Sequence, residues 1–347
     1  MLRAEIEVTT LPEGEASENS VSRPEPLTNA LTVIHSTENL PGPLAELAMA
    51  RDFARNEKAA ATRHAYRSDF DAFVAWCSSR QVAAMPAAPE TVAGFLAAEA
   101  ARGIKPASIG RRVAAIRYAH KLSGISEPPT NSEVVKATVR GIRRTLGAAQ
   151  AKKAPATADR VVAMATTSRA DLKGIRDRAL ILLGFAGAFR RSELVALDVE
   201  DLESCEAGVR VRIRRSKTDQ EGAGATIAIV AGSVACPVKA VQAWLEASGI
   251  ASGPVFRPVG KGGRIGKARL SDRAVANVVK DGAGRVGLDA AQFSGHSLRS
   301  GFLTSAARRG ASIFKMMDVS RHKSMDTLRG YVRDADLFRD HAGAGLL

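Results

Sequence analysis

Cysteine is scarce in this chain: it has only Cys77, Cys205 and Cys236, far apart and odd in number. That spacing matches neither a disulfide framework nor a zinc site, so the thiols read as reduced, in a cytoplasmic protein. Long hydrophobic runs are lacking too. No apolar stretch reaches the roughly 20 residues that cross a bilayer, and the acidic N-terminus has neither the basic nor the apolar region of a secretory signal, so no membrane partner is expected. Tyrosine is as rare as cysteine, at three residues, which makes the position of each one informative. No His/Cys group has metal-ligand spacing and no Asp/Glu pair accompanies the C-terminal histidines, so neither a metal nor another cofactor is expected.

Positive charge is what the chain has in excess. The net charge is +14 over 347 residues, a length that suggests two domains. Residues 1–46 hold eight glutamates against Arg3 and Arg23, a net of −6, which leaves +20 for the remainder. A surplus of that size over two domains points to a polyanionic partner, although a basic surface that merely keeps a protein soluble has the same composition.

Residues 1–43 are rich in Glu, Ser, Thr, Pro and Asn without a sustained period, and a disordered acidic leader is expected. Helical periodicity starts at Leu44. Thr62 is placed to cap a helix whose apolar residues Tyr66, Phe70, Phe73 and Cys77 form one stripe, with Arg63, Arg67 and Asp69 off it. A helix over Glu90–Ala101 follows, then one capped by Ser108, with Ile109, Val113 and Ile116 inward and Arg111, Arg112, Arg117 and Lys121 largely outward. A last helix near 131–146 carries Arg140, Arg143 and Arg144. Residues 44–146 thus read as an all-helical unit with basic outer faces. Such faces are commonly just solvated. Their repetition on successive helices favours DNA, with Arg63, Arg67, Arg111, Arg112, Arg117, Lys121, Arg140, Arg143 and Arg144 as candidate contacts.

Residues 147–157, small, basic and aperiodic, read as an interdomain linker before a second unit over 158–347. That unit opens with helices over 158–166 and 176–186. Arg190 lies at a bend ahead of Ser192-Glu193, which suit a helix start. Alternation over 209–214 and a β-prone run over 226–230 predict a hairpin with Lys217 near its tip. Pro237, Ser271 and Ser312 each open a helix, 297–309 and 325–332 are helical, and the tail holds Leu337 and Phe338 as apolar anchors. The fold class expected is mainly α with a small β-sheet.

Near the C-terminus, His296 and Arg299 are three apart and so share a helix face. A guanidinium fork fits two non-bridging oxygens of a phosphate. An imidazole can donate to the same group or move a proton beside it, and a tyrosine hydroxyl such as that of Tyr331 is a competent nucleophile. Each feature alone is weak: a histidine one turn from an arginine is more often a solvated pair, and Tyr331 could simply pack a terminal helix.

Taken together, Ala188-Phe189-Arg190-Arg191-Ser192-Glu193-Leu194, Ser216-Lys217-Thr218, His296-Ser297-Leu298-Arg299-Ser300-Gly301-Phe302 and Ser320-Arg321-His322, with Tyr331 nine residues on, resemble the tyrosine recombinase (phage integrase) family in order and context. The resemblance covers roughly residues 45–340. It implies an N-terminal helical, SAM-like core-binding domain and a C-terminal mixed α+β catalytic domain. It also implies site-specific breakage and rejoining of DNA through a 3'-phosphotyrosyl link to Tyr331. Arg190 and Arg299 would hold the non-bridging oxygens, Lys217 would protonate the departing 5'-oxygen, His296 would act as acid or base near the nucleophile, and His322 would bond the phosphate. Because the link keeps the bond's energy, neither metal nor ATP is implied. Implied partners are double-stranded DNA, further copies of the chain on it (a dimer on a core site, a tetramer in the synapse) and accessory DNA-bending proteins, in the bacterial cytoplasm at the nucleoid.

The chain departs from the family pattern at two places. Arg191 stands where a small or apolar residue is usual, and Ser320-Arg321 stands where Leu-Gly is common. Two other functions remain open: a type IB topoisomerase, which uses nearly the same residues, and a DNA-binding protein that kept the fold and lost the chemistry.

Overall fold

The computed structural model describes residues 42–147, 152–216, 219 and 222–335. The expected leader up to residue 41, Lys217, and the tail anchors Leu337 and Phe338 lie outside the described residues. The described chain falls into two compact units divided between residues 149 and 150.

The first unit consists of α1 (Gly42–Arg55), α2 (Ala60–Ser78), α3 (Pro89–Ala101), α4 (Pro106–Leu122) and α5 (Glu133–Leu146). Phe70, Phe73 and Cys77 of α2 meet Phe95 and Leu96 of α3, Ile109 and Ile116 of α4 and Val135 of α5 in one core. Burying each large side chain there contributes on the order of 1.5–3 kcal/mol. Two helix starts differ from expectation. Thr62 lies inside α2, which has no side-chain cap, and Pro106 rather than Ser108 opens α4. Proline suits a first turn because its φ is preset and its missing N–H would be an orphan there.

Two residues assigned to outer faces are not on them. Asp69 is buried. Arg112 has 14% of its side chain exposed; it is ion-paired to the buried Glu99 and lies 3.9 Å from the Asp69 carboxylate. Arg111 is half exposed but closes its fork on both Asp69 oxygens at 2.6 and 3.0 Å. A buried carboxylate needs such partners, and helical period alone cannot show that an arginine reaches back over the core. Arg67, Arg117, Lys121, Arg140, Arg143 and Arg144 are exposed. Arg63 is half-buried and donates to Asn56 Oδ1 at 3.0 Å.

The second unit starts with α6 (Ala158–Thr166), α7 (Leu172–Ala186) and α8 (Arg191–Ala196). A three-stranded antiparallel sheet follows, β1 (Leu202–Cys205), β2 (Gly208–Ile213) and β3 (Ala225–Val230), in the order β1-β2-β3. Val211 pairs with Ile227, so Val211, Ile213, Ile227 and Ile229 enter the core while Arg210 and Arg212 point out. Then come α9 (Pro237–Ser248), α10 (Asp272–Arg285), α11 (His296–Arg308), α12 (Ile313–Ser320) and α13 (Met325–Ala335). Among the described residues no helix is long and apolar enough to cross a membrane.

At the centre of this unit is α7, with Leu180, Ile181, Leu182 and Leu183 all buried. It begins earlier than its apolar stretch because Asp171 caps it, accepting from the Gly174 N–H at 2.8 Å. The end of the segment read as linker is bound to this unit: Ala154 N donates to Gln292 O at 2.8 Å and Ala156 N to Ser297 O at 2.9 Å. Small residues made it look like a spacer, and small size is what lets it approach. A Cβ at Gly301 would lie 1.8 Å from the Ala156 carbonyl oxygen, so only glycine admits this strand of chain against α11.

Candidate active site

The site is built where α7 ends, α11 begins and α12 turns into α13. After α7 the chain passes through Gly187 and Ala188, the latter at φ +45. This turns the Ala188 carbonyl toward α11, where Arg299, 1% exposed, donates to it from Nη1 at 2.6 Å. Arg190 is the residue before α8. Its N–H donates to Glu193 Oε2 at 2.9 Å and its Nη1 to Oε1 at 2.6 Å. Arg191 turns the other way, across Gly295, to lie 3.5 Å from Asp272. Of the two adjacent arginines, Arg190 is the one held beside the buried Glu193.

On the opposite side, Ser320, Arg321 and His322 form the turn after α12. The Ser320 hydroxyl donates its one proton to Met316 O at 2.5 Å, so at its 2.7 Å contact with His322 Nδ1 it accepts. That assigns the Nδ1–H tautomer; Arg299 Nη2 lies across the ring, 3.3 Å from Nδ1 and 3.2 Å from Nε2. Tyr331, on α13, is partly buried against Leu303, Ala307, Met316 and Leu328. Its phenol is near enough to Arg299 to favour the guanidinium's charge. His296 opens α11 with an exposed edge.

Lys217 lies outside the described residues, but its neighbours pair: Ser216 and Asp219 exchange backbone hydrogen bonds at 3.2 and 3.1 Å. The Asp219 carboxylate accepts from the N–H groups of Gly222, Ala223 and Gly224. These bonds hold it below the usual carboxylate range, with Lys323 of the α12–α13 turn adding to the effect. Asp219 is thus near enough to Lys323 for the two charges to interact.

Electrostatics separates this cluster from a solvated surface pair. Arg190, Arg299 and Arg321 set three guanidinium groups against one buried carboxylate, Glu193. Burial, then Arg190 and Arg321, lower the Arg299 pKa to about 9. Burial, then Arg299 and Arg190, take His322 down to about 4, and His296 is lowered by burial and the same two arginines, with Arg191. Burial alone would raise the Glu193 pKa; Arg321 and Arg190 outweigh it and hold the carboxyl below its normal value. A desolvated surplus of positive charge is unfavourable until an anion enters. The arrangement suits a phosphate diester, and suits still better the extra negative charge of its pentacovalent state.

Sequence reasoning brought Arg190, His296, Arg299, His322 and Tyr331 to this region, took Glu193 only as a structural residue, and overlooked Arg321 as a member. Glu193 had a local signal, since it lies three residues after Arg190 at a helix start. Beside Glu193 lies a basic recess lined by Arg212, Arg214, Arg215 and Arg269. In it, Arg214 and Arg269 are tied to Asp198, and Arg214 also to Asp201 at 2.7 Å.

Comparison with known proteins gives a consistent result. Residues 156–337 match the model of the phage integrase family, and residues 52–122 that of the phage integrase N-terminal SAM-like domain. An integrase/recombinase xerD homolog of Selenomonas ruminantium is 39% identical over 290 residues, 82% of this chain and 85% of that protein. The recombinase cre of Escherichia phage P1 is 27% identical over 287 residues, 76% of this chain and 81% of that one. Among solved structures, a lambda integrase dimer bound to a COC' core site superposes with a TM-score of 0.57 at 17% identity, covering 93% of this chain and 84% of that chain. The XerH recombinase in a post-cleavage complex with its difH substrate gives 0.53 at 14% identity, covering 75% and 72%.

Proposed function

The chain belongs to the phage integrase family, and from that premise we propose that it binds double-stranded DNA and breaks and rejoins it at specific sites, with Tyr331 as the nucleophile. The observation that carries this reading is the buried surplus of guanidinium charge formed by Arg190, Arg299 and Arg321 around one carboxylate, next to the helix bearing Tyr331.

In this reading the Tyr331 oxygen attacks a backbone phosphorus, forming a 3'-phosphotyrosyl bond and breaking the bond to the 5'-oxygen. Arg190 and Arg299 grip the non-bridging oxygens and meet the charge of the pentacovalent state, where preorganised donors act most strongly. His322 donates to a phosphate oxygen from Nε2 once its proton has moved there from Nδ1, with the Ser320 hydroxyl turning to donate to Nδ1. His296, neutral at pH 7 because its pKa is lowered, can receive the phenolic proton. Lys217 protonates the leaving 5'-oxygen, a transfer that contributes on the order of 100- to 10,000-fold in general. Attack by another strand's 5'-hydroxyl reverses the step, so neither metal nor ATP enters the balance. Copies of the chain assemble on the DNA to exchange strands.

The test uses the full chain and nicked duplexes drawn from the DNA flanking its gene, with denaturation to trap protein covalently joined to labelled strand. The expected result is an adduct that forms in EDTA without nucleotide and is absent from Tyr331→Phe. An adduct retained by Tyr331→Phe would overturn the assignment. Relaxation of plasmids lacking any partner site, by low protein concentrations, would favour a topoisomerase instead.

A further inference from the structure

We propose that Arg321 is a positioning residue that holds both phosphate-gripping arginines in register from the turn between α12 and α13, an inference that rests on the recombinase reading above. Arg321 is the C-cap of α12 and sits at φ +57, ψ +40. A side chain other than glycine is strained in that left-handed region, and persists where its surroundings over-determine it. Here the surroundings do so through the guanidinium, whose side chain is only 8% exposed.

Apart from one local bond, from Nη1 to Val319 O at the end of its own helix, the contacts of that guanidinium end on parts of the site. Nη2 donates to Glu193 Oε2 at 2.8 Å, the same oxygen that accepts the Arg190 N–H, while Glu193 Oε1 takes Arg190 Nη1. Arg321 therefore fixes the carboxylate that fixes Arg190. Nη1 donates to Gly187 O at 3.1 Å and Nη2 also approaches Ala188 O at 3.3 Å, the carbonyl on which Arg299 is seated. The guanidinium carbon lies 5.2 Å from the centre of the Phe189 ring, in the same loop. One side chain thus braces residues 187–190 and their buried anchor together.

Arg321 is not placed to hold the phosphate itself. Its Nη donors end on protein acceptors, and its Nε is sealed from solvent with no protein acceptor. Leaving a buried donor unmet is unfavourable, so maximal stability does not account for this residue as well as placement of its neighbours does. A guanidinium in the α12–α13 turn also means that exchange of the Leu-Gly common in the family for Ser320-Arg321 changes how the site is braced.

The test is single-turnover cleavage of the nicked duplex that gives the Tyr331 adduct, measured at saturating protein alongside DNA affinity and the thermal midpoint. Arg321→Gly removes the side chain and relieves the left-handed backbone, so the turn keeps its conformation while Glu193 loses one of its two arginines. We expect its cleavage rate to fall about 10- to 100-fold, the scale of a small misplacement at a reacting centre, with affinity nearly unchanged. Arg321→Lys should recover part of the rate, since one ammonium reaches Glu193 but not the two carbonyls as well. In an Arg190→Ala background, Arg321→Gly should cost less than it does in the unsubstituted chain, because the part of its effect that runs through Arg190 is already lost. Equal losses in both backgrounds, or a loss that only follows a fallen thermal midpoint, would reduce Arg321 to a structural staple and overturn the inference. Failure of the unsubstituted chain to form any adduct would instead overturn the recombinase reading, and this inference with it.

Discussion

His322 carries its proton on Nδ1 toward Ser320 and lies against Arg299, and burial, then the arginines, keep it neutral. An unfolded histidine titrates near 6.5, whereas the folded one is lowered to about 4. A group lowered by folding is penalised where the unfolded chain can take up its proton. Stability is therefore full above about 6.5 and is lost as pH falls toward 4, by at most about 1.4 kcal/mol per unit. The denaturant midpoint is expected to drop between pH 7 and pH 5, and to drop less in His322→Asn; an equal drop in both would place the titration elsewhere. At this scale the chemistry-bearing residues stood out in the sequence because rare types met in short motifs. Arg321 did not, since its role depends on a contact 128 residues away along the chain, and Glu193, only three residues from Arg190, read as a structural partner and helix start.

Helices were legible where a cap and a stripe agreed, as for α10 with Ser271 accepting from Ala274 N at 3.3 Å. Strand β1, four residues that are mostly exposed, offered no alternation to detect. On α4 the period placed Arg112 outward, yet its long side chain folds back to Glu99. Arg112→Ala would leave that buried carboxylate with Arg102 at 2.7 Å, whose own side chain is 74% exposed. Breaking a buried pair costs roughly 3–5 kcal/mol, and with Arg102 remaining the lower end is expected. Urea unfolding of the full chain checks this; a change within about 0.5 kcal/mol would mean that Arg112 is free to serve DNA after all.

Over the whole molecule, the mainly helical class with a small sheet was readable from composition and period, and the surplus of +20 beyond residue 46 pointed to a polyanion. Charge alone did not say which arginines are available, because ion pairs formed on folding use some of them. Arg144 on α5 is exposed. Arg144→Ala is expected to weaken DNA binding alike across sequences and to reduce the slope of log affinity against log salt by about 1. An unchanged slope would remove α5 from the DNA-facing surface. The central claim, a phenolic oxygen joined to a phosphate gripped by Arg190 and Arg299, is tested most directly by digesting the trapped covalent complex and sequencing the peptide attached to DNA. The account predicts the peptide containing Tyr331, linked to a 3'-phosphate and leaving a free 5'-hydroxyl. Attachment to another residue, or to a 5'-phosphate, would contradict it.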